Sequence, residues 1–240
     1  MYRGSVAVDS TNTYIYISPY NSSQVYKYTM QQDKWTQLQN CPYQDCALVV
    51  KNNYLLSVGG RTSIYGDPTK KLFQLQGEKW EEHSIMNFAR SCCAAISVSD
   101  YLIVIGGYGQ LGHRIASVEI LDNKTKKWSH LRDLPCPLDW PSATISGKQL
   151  YVLSGGYDGE GYCSSPIGEL STSNGPPPAL TWTPIPQSPV NYSTIATLSG
   201  VPVLVGGRVR GRGPPVLLST HCHMDSGWSV AISVRLGLPV

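Results

Sequence analysis

The segment His221-Cys222-His223 comes closest to a metal-binding pattern in this sequence. If the segment is a strand, alternation directs His221 and His223 to one face, which supplies two ligands. A closed zinc site takes four ligands, and the sequence has no Cys-x-x-Cys or His-x-x-x-His pair to complete it. The pairs Cys41–Cys46 and Cys92–Cys93 also lack chelating spacing. We therefore expect no metal ion or other cofactor.

Catalytic side chains are the second chemical option, and their placement does not favour an enzyme. The sequence has no Gly-x-Ser-x-Gly motif, and its five histidines fall at unrelated positions. Tyr157-Asp158-Gly159-Glu160 offers two carboxylates, but acidic pairs in loops are normally solvated, and no second acidic group is placed opposite them. The sequence thus favours a protein that binds over one that catalyses.

The elements that must position any site are marked by a repeated signature. Short apolar runs end in Gly-Gly four times, at Gly59-Gly60, Gly106-Gly107, Gly155-Gly156 and Gly206-Gly207, about 50 residues apart. A tryptophan follows each pair, at Trp80, Trp128, Trp182 and Trp228, and Trp35 precedes the series in the same rhythm. A signature held at this period indicates repeated β-sheet units.

One repeat shows the predicted unit most clearly. Its four predicted strands are 92–98, 101–105, 116–122 and 127–131. The second is apolar throughout, as expected for a strand covered on both faces by neighbouring sheets. Gly106-Gly107 ends that strand, because glycine permits positive φ and close backbone approach. Trp128 is predicted to anchor the fourth strand between sheets.

These features resemble kelch repeats. The resemblance rests on the Gly-Gly pairs, the run Val118–Asp122 with its downstream Trp128, and Arg90 ahead of the next repeat. It covers about residues 5–207 well and the remainder weakly. It implies an all-β fold, a kelch-type β-propeller of about five four-stranded blades around a channel.

The repeats divide the chain into a repeat region, residues 1–207, and a last segment, residues 208–240. The individual repeats are predicted at about 5–38, 46–82, 91–131, 141–184 and from 193 to 207 onward. Residues 208–240 are rich in Gly and Pro and are expected to be a degenerate last repeat or a tail. Because kelch propellers commonly have six blades, we favour an incomplete ring over a natural ring of five.

Loops at one mouth of such a propeller converge, which predicts a binding face. Residues just after Gly-Gly or between blades are expected there, namely Arg61, Tyr65, Arg90, Tyr108, Trp140, Tyr157, Asp158 and Arg208. Arginines at these positions would bind carboxylates of a partner, and the aromatic residues would pack against it. Tyr, Trp and Arg dominate binding energy at protein interfaces. The expected partner is a protein, with an acidic peptide segment as its contact.

Composition excludes other partners. The net charge is +3 and no basic stripe stands out, so nucleic acid is not expected. No run approaches the roughly 18 apolar residues that cross a bilayer. The first residues lack the apolar core of a signal peptide, and the odd number of scattered cysteines fits a reducing compartment. A cytoplasmic protein is the resulting expectation.

The predicted function is therefore a protein-interaction module. The resemblance allows it to be the substrate-recognition part of a cullin ubiquitin-ligase adaptor, a role that would belong to a longer parent protein. A kelch scaffold that binds the cytoskeleton, with actin as partner, is the alternative. A propeller enzyme of a sugar-modifying or metal-dependent type is a further alternative, and it would need convergent carboxylates or histidines at the mouth.

Overall fold

A computed structural model describes residues 4–138, 140–154, 162–166, 180–184, 190–191, 194–198, 201–205, 208–209, 217–223 and 227–234. Within these residues, the strands form five four-stranded antiparallel sheets and one two-stranded pair. The helical segments described are two 3-10 turns, Met30–Gln32 and Gln110–Gly112. No helix in this part of the chain is long and apolar enough to cross a membrane. The predicted all-β fold of four-stranded blades is confirmed.

The five sheets are called blades 1 to 5 and follow one another along the chain. Blade 1 contains β1 (Gly4–Val8), β2 (Tyr14–Pro19), β3 (Tyr26–Thr29) and β4 (Lys34–Gln37); blade 2 contains β5 (Ala47–Lys51), β6 (Tyr54–Val58), β7 (Thr69–Gln76) and β8 (Lys79–Arg90); blade 3 contains β9 (Ala94–Val98), β10 (Tyr101–Ile105), β11 (Val118–Asp122) and β12 (Lys127–Leu131). Blade 4 contains β13 (Pro141–Ser146), β14 (Gln149–Ser154), β15 (Tyr162–Pro166) and β16 (Thr183–Pro184).

Blade 5 lies in the segment where the sequence pattern weakens. Its backbone forms β18 (Thr194–Leu198), β19 (Val201–Val205), β21 (Leu217–His223) and β22 (Gly227–Val234), in that order across the sheet. The two-stranded pair joins β17 (Val190–Asn191) to β20 (Arg208–Val209). The segment His221-Cys222-His223 therefore belongs to a strand backbone, and its side chains lie outside the described part of the structure.

Blade 3 shows why the apolar runs end in Gly-Gly. Every residue of β10 is buried, because blades 2 and 4 cover its two faces. After β10 the chain must turn close to the preceding inter-blade loop. Gly106 and Gly107 have φ values of 56° and 94°, and a Cβ on Gly107 would collide with the carbonyl oxygen of Ser91. Only glycine fits that turn without strain.

Tryptophans connect neighbouring blades, as the sequence predicted for Trp128. The indole N–H of Trp80 donates to the carbonyl of Gln39, at the end of blade 1, over 3.0 Å. That of Trp128 donates to the Ser84 hydroxyl of blade 2 over 2.6 Å. In blade 4, the indole N–H of Trp182 donates to the carbonyl of Arg132, which follows blade 3, over 3.0 Å. Each of these three tryptophans thus binds the blade that precedes its own.

Arg90 connects blades 2 and 3 and does not reach solvent. Its side chain is fully buried and forms an ion pair of 2.8 Å with the equally buried Glu119 of β11. It also donates to the carbonyl oxygens of Gly106 and Ser117, each over 3.0 Å. The prediction that Arg90 binds a partner's carboxylate is therefore wrong, because the guanidinium already binds a carboxylate inside the protein.

Between blades 1 and 2, the position that corresponds to the Arg90–Glu119 ion pair carries an aromatic contact. Tyr43 lies two residues before Asp45, and Arg90 lies two residues before Cys92; both Asp45 and Cys92 have left-handed backbone, so Tyr43 and Arg90 hold equivalent positions. Phe73 occupies the position in blade 2 that Glu119 occupies in blade 3, and its ring centroid lies 5.9 Å from that of Tyr43. An aromatic contact thus replaces the buried ion pair at this position, so the fold does not require charge there.

We expect Arg90→Met to destabilise the protein by about 3–5 kcal/mol, because it leaves Glu119 buried without its cation. The double variant Arg90→Met/Glu119→Leu should cost less than the sum of the two single variants, since the two side chains interact directly. Urea unfolding measures both. Lys71→Met is the matched control, because its ion pair with Glu82 is 43% and 40% exposed and should contribute about 0.5 kcal/mol. Equal costs for Arg90→Met and Lys71→Met would contradict this account.

Candidate protein-interaction site at the mouth

The loops at one end of the blades form a region that we call the mouth. It comprises residues 20–25, 41–46, 59–68, 91–93, 106–117, 138 and 140. Five of its residues other than glycine have left-handed backbone, and three of these precede a blade: Asp45, Cys92 and Trp140, with φ of 54°, 53° and 49°. Each lies one or two residues ahead of the first strand of its blade. Such a conformation is uncommon for these residues and fixes the direction of their side chains.

An ion pair between Asp45 and Arg61 holds two loops of the mouth together. Nε and Nη2 of Arg61 lie 2.8 and 2.7 Å from Oδ2 of Asp45, whose side chain is fully buried. The other carboxylate oxygen accepts the backbone N–H of Asn21 over 2.7 Å, which adds the loop of blade 1. Partial burial opposes the charge of Arg61, but the hydrogen bond and charge of Asp45 raise its pKa overall.

Arg61 also supports the exposed part of its own loop. Its Nη1 donates to the carbonyl oxygen of Ile64 over 2.7 Å, next to Tyr65. Three of its donor groups therefore have partners within the protein, and its side chain is 18% exposed. These contacts make Arg61 a positioning residue for the loop that carries Tyr65. They do not support its expected role as the main ligand for a partner's carboxylate.

Two aromatic residues meet across the mouth. Tyr20 follows β2 of blade 1, and Trp140 precedes β13 of blade 4, two blades that are not sequential neighbours. Their ring centroids are 5.1 Å apart and the rings are inclined at 76°, an edge-to-face contact. Tyr20 remains 39% exposed, so this contact presents aromatic surface to solvent while bracing two sides of the mouth.

Exposed apolar side chains stand at the tips of two neighbouring loops. Tyr65 in blade 2 is 95% exposed and Ile64 beside it is 39% exposed. Leu111 in blade 3 is 88% exposed and has a φ of 59°, which is unusual for leucine. Folding leaves these side chains in water although the interior of the blades is apolar. Exposed apolar side chains on loops are typical of an interaction surface.

The structure brings together part of the predicted binding face. Arg61, Tyr65, Tyr108 and Trp140 lie at the mouth, and the half-buried Tyr108 exchanges backbone hydrogen bonds with Ser91 over 2.9 Å. The backbone of Arg208 pairs with Asn191, but its side chain lies outside the described part of the structure. The predicted Tyr157 and Asp158 also lie outside the described residues.

Sequence reasoning missed Tyr20, Asp45, Ile64 and Leu111. Tyr20 follows the second strand of the one repeat that has Ser18-Pro19 in place of Gly-Gly, so a search after Gly-Gly passed over it. A signal for Asp45 was present, because Asp45-Cys46-Ala47 aligns with Cys92-Cys93-Ala94 ahead of the first strands. Nothing in the sequence distinguishes Ile64 and Leu111 from residues that fold inward.

Two of the four cysteines at the mouth, Cys92 and Cys93, do not have the properties of a nucleophile. Burial raises the pKa of the Cys92 thiol and raises that of Cys93 to about 12. The residues that the structure describes contain no group of three or more His, Cys, Asp or Glu arranged to hold a metal ion.

Comparison with known proteins agrees with this architecture. The family model of the Kelch motif matches residues 89–135, which span blade 3 and the connections on both sides of it. The chain is thus similar to kelch-repeat proteins in this blade. Kelch repeats indicate a protein-interaction module.

The chain also matches curated proteins over part of its length. It is 24% identical to Alpha-scruin of Limulus polyphemus over 140 residues, which is 55% of this chain and 15% of that protein. It is 28% identical to human Kelch-like protein 15 over 152 residues, 54% of this chain and 25% of that protein. Human Kelch-like protein 34 is 30% identical over 82 residues, 34% of this chain and 13% of that protein. The chain therefore spans a quarter or less of these relatives.

We expect Asp45→Asn to destabilise the protein by about 2 kcal/mol, because the substitution removes the charge that Arg61 and Asn21 bind. The loop of residues 59–68 should also loosen, which chymotrypsin cleavage after Tyr65 would detect. Asp100→Asn is the control, since the Lys124–Asp100 pair is about half exposed and contributes little. A cleavage rate that Asp45→Asn leaves unchanged would show that the ion pair does not hold this loop.

Alkylation tests the assignment of the buried thiols. At pH 8 the raised pKa keeps Cys92 and Cys93 protonated, so iodoacetamide should modify them at least about 100-fold more slowly in the native protein than in urea. Peptide mass spectrometry measures each rate. Native Cys92 that reacts as fast as the unfolded chain would overturn the conclusion that it is not a nucleophile.

Proposed function

We propose that this protein binds a protein partner through the mouth. The observation that carries the proposal is the exposure of Tyr65 and Leu111 at the tips of loops from adjacent blades. The Asp45–Arg61 ion pair holds one of these loops in place before a partner arrives, which lowers the entropy cost of binding. Tyr20 and Trp140 add an aromatic surface between blades 1 and 4.

The proposed contact is apolar and aromatic more than ionic. Arg90 is buried, and the donors of Arg61 are largely bound to Asp45 and Ile64. The earlier expectation of an acidic peptide segment now depends on Arg208. An apolar segment that inserts between Tyr65 and Leu111, with hydrogen bonds to the tyrosine hydroxyl, fits the described side chains better.

Two finer roles follow from the family and are proposed for a longer protein that contains this chain. One is the substrate-recognition part of a cullin ubiquitin-ligase adaptor in the cytoplasm, supported by the similarity to Kelch-like proteins. The other is a scaffold that binds actin filaments, which the kelch resemblance also allows. An enzymatic role has less support, because the buried carboxylate at the mouth, Asp45, is occupied by Arg61.

The test compares partner recovery by two variants of the full chain. Chemical cross-linking with mass spectrometry first identifies a partner attached to residues of the mouth. The variant Tyr65→Ser/Leu111→Ser should then bind this partner at least about 10-fold more weakly, since central aromatic and aliphatic contacts each contribute about 1–2 kcal/mol. Its melting temperature should stay within about 2 °C of the wild type, because both side chains are exposed.

Tyr54→Ser is the matched control. Tyr54 is 50% exposed and begins β6, at the end of blade 2 opposite the mouth. The control variant should bind as the wild type does. Partner binding that survives the double substitution, or that Tyr54→Ser weakens equally, would rule out the mouth as the binding face.

A further inference from the structure

Two buried thiols lie side by side in the connection between blades 1 and 2. Cys41 follows β4 and Cys46 directly precedes β5, and each residue is only 4% exposed. Their sulfur atoms are 3.6 Å apart, and both thiols are free. A disulfide needs a sulfur–sulfur distance of about 2.05 Å, so joining the pair takes a movement of roughly 1.5 Å. The fold thus holds two thiols close to bonding distance.

The equivalent connection between blades 2 and 3 shows what the second thiol adds. Cys93 directly precedes β9, as Cys46 precedes β5, and Phe88 stands there in the position of Cys41. Burial raises the pKa of Cys93 to about 12. The pKa of Cys46 is lowered instead, because the Cys41 thiol donates a hydrogen bond to its thiolate, although burial opposes this. Cys46 therefore ionises first, and the thiolate is the reactive form.

The segment that carries the two thiols is bound to other loops of the mouth. Gln44 and Arg61 exchange two backbone hydrogen bonds, of 2.8 and 2.9 Å. The carbonyl oxygen of Asp45 accepts the backbone N–H of Cys92 over 2.8 Å, and its carboxylate binds the Arg61 guanidinium. Asp45 is the neighbour of Cys46 in the chain. A constraint on this segment is thus transmitted to the loops of blades 2 and 3.

We propose that Cys41 and Cys46 are an oxidation site, at which a peroxide converts the two thiols into a reversible disulfide that holds the loops of the mouth in place. Hydrogen peroxide is little larger than water, so it can reach thiols that exclude bulky oxidants. In a reducing compartment, disulfides are usually transient and sense the redox state. Both the disulfide and its effect on the loops are independent of a bound partner and of the proposed function.

The oxidation takes place in two steps. The Cys46 thiolate attacks one oxygen of hydrogen peroxide, the O–O bond breaks, and the hydroxide that leaves takes up the proton released by Cys46. Cys46 is then a sulfenic acid. The Cys41 sulfur attacks the Cys46 sulfur, the S–O bond breaks, and the leaving hydroxide takes the Cys41 proton, which gives a second water. The two thiols lose two electrons and the peroxide gains two. A dithiol reverses the bond and becomes a disulfide itself.

The bond restricts the backbone between the two cysteines. It closes a ring over residues 41–46, which removes conformations that the reduced segment can adopt when it opens. Asp45 then stays where it binds Arg61. Because Gln44 and Arg61 are joined through their backbones, the loop of residues 59–68 opens less often when this segment cannot move. Oxidation should therefore protect that loop.

Peptide mass spectrometry identifies the bond. The full chain is treated with equimolar hydrogen peroxide at about pH 7.5, and free thiols are blocked with N-ethylmaleimide in acidic urea before trypsin digestion. Cys41 and Cys46 share the tryptic peptide of residues 35–51, which should become lighter by two hydrogen atoms and take up no maleimide. Dithiothreitol should restore both thiols.

Cys92 and Cys93 are the internal control, because they share the separate peptide of residues 91–114. They should oxidise at least about 10-fold more slowly, since their pKa values are raised. In the variant Cys41→Ser, Cys46 should stop at the sulfenic acid, which dimedone traps. Intact thiols in residues 35–51 after peroxide, equally fast oxidation of Cys92 and Cys93, or a bond between Cys46 and Cys93 would each overturn the proposal.

Chymotrypsin cleavage after Tyr65 measures the effect on the mouth. Once the peroxide is removed, the oxidised chain should be cleaved at least about 3-fold more slowly than the reduced chain. In the control variant Cys41→Ser/Cys46→Ser, peroxide should leave the cleavage rate unchanged. Protection of this variant too, or an unchanged or faster rate in the oxidised wild type, contradicts the proposed link between the disulfide and the loop. Neither measurement uses a partner, so failure here is distinct from failure of binding at the mouth.

Discussion

The burial of two apolar faces on every sheet is the constraint on which this structure depends. A four-stranded antiparallel sheet with polar residues on one side can meet solvent there, but these blades carry apolar residues on both sides. In blade 3, Leu102 faces blade 2 and Ile103 faces blade 4, and both are fully buried. No blade satisfies this requirement alone, so the contacts between blades decide stability more than the contacts within them.

The blade fold could be predicted from the sequence because its signals are local. Gly106-Gly107 marks a turn that needs positive φ, and the run Tyr101–Ile105 shows a strand covered on both faces. Arg90 could not be placed in the same way. An arginine ahead of a strand looks like a solvated loop residue, and its burial becomes visible only once Glu119, 29 positions later, is brought beside it. A charge on a strand with neighbours on both faces must find such a partner.

The place of the candidate site was easier to predict than its residues. The loops after Gly59-Gly60 and Gly106-Gly107 lie at the same end of blades 2 and 3, as predicted, which places Arg61 and Tyr108 at the mouth. Whether a side chain there is free or already bound depends on contacts between separate repeats. The burial of Asp45, which occupies Arg61, and the exposure of Leu111 are both results of that packing. The repeat pattern of the sequence does not predict the burial of Asp45 or the exposure of Leu111.

The contact between blades 1 and 2 at Tyr43 is aromatic, whereas the equivalent contact between blades 2 and 3 is an ion pair. Temperature should therefore affect the two contacts differently. The aromatic contact of Tyr43 with Phe73 depends on the hydrophobic effect, which weakens on cooling. The cost of dehydrating the Arg90–Glu119 pair falls on heating, so that joint holds comparatively better in the heat. Cooling should thus weaken the contact of Tyr43 with Phe73 more than the Arg90–Glu119 pair, and heating should do the reverse.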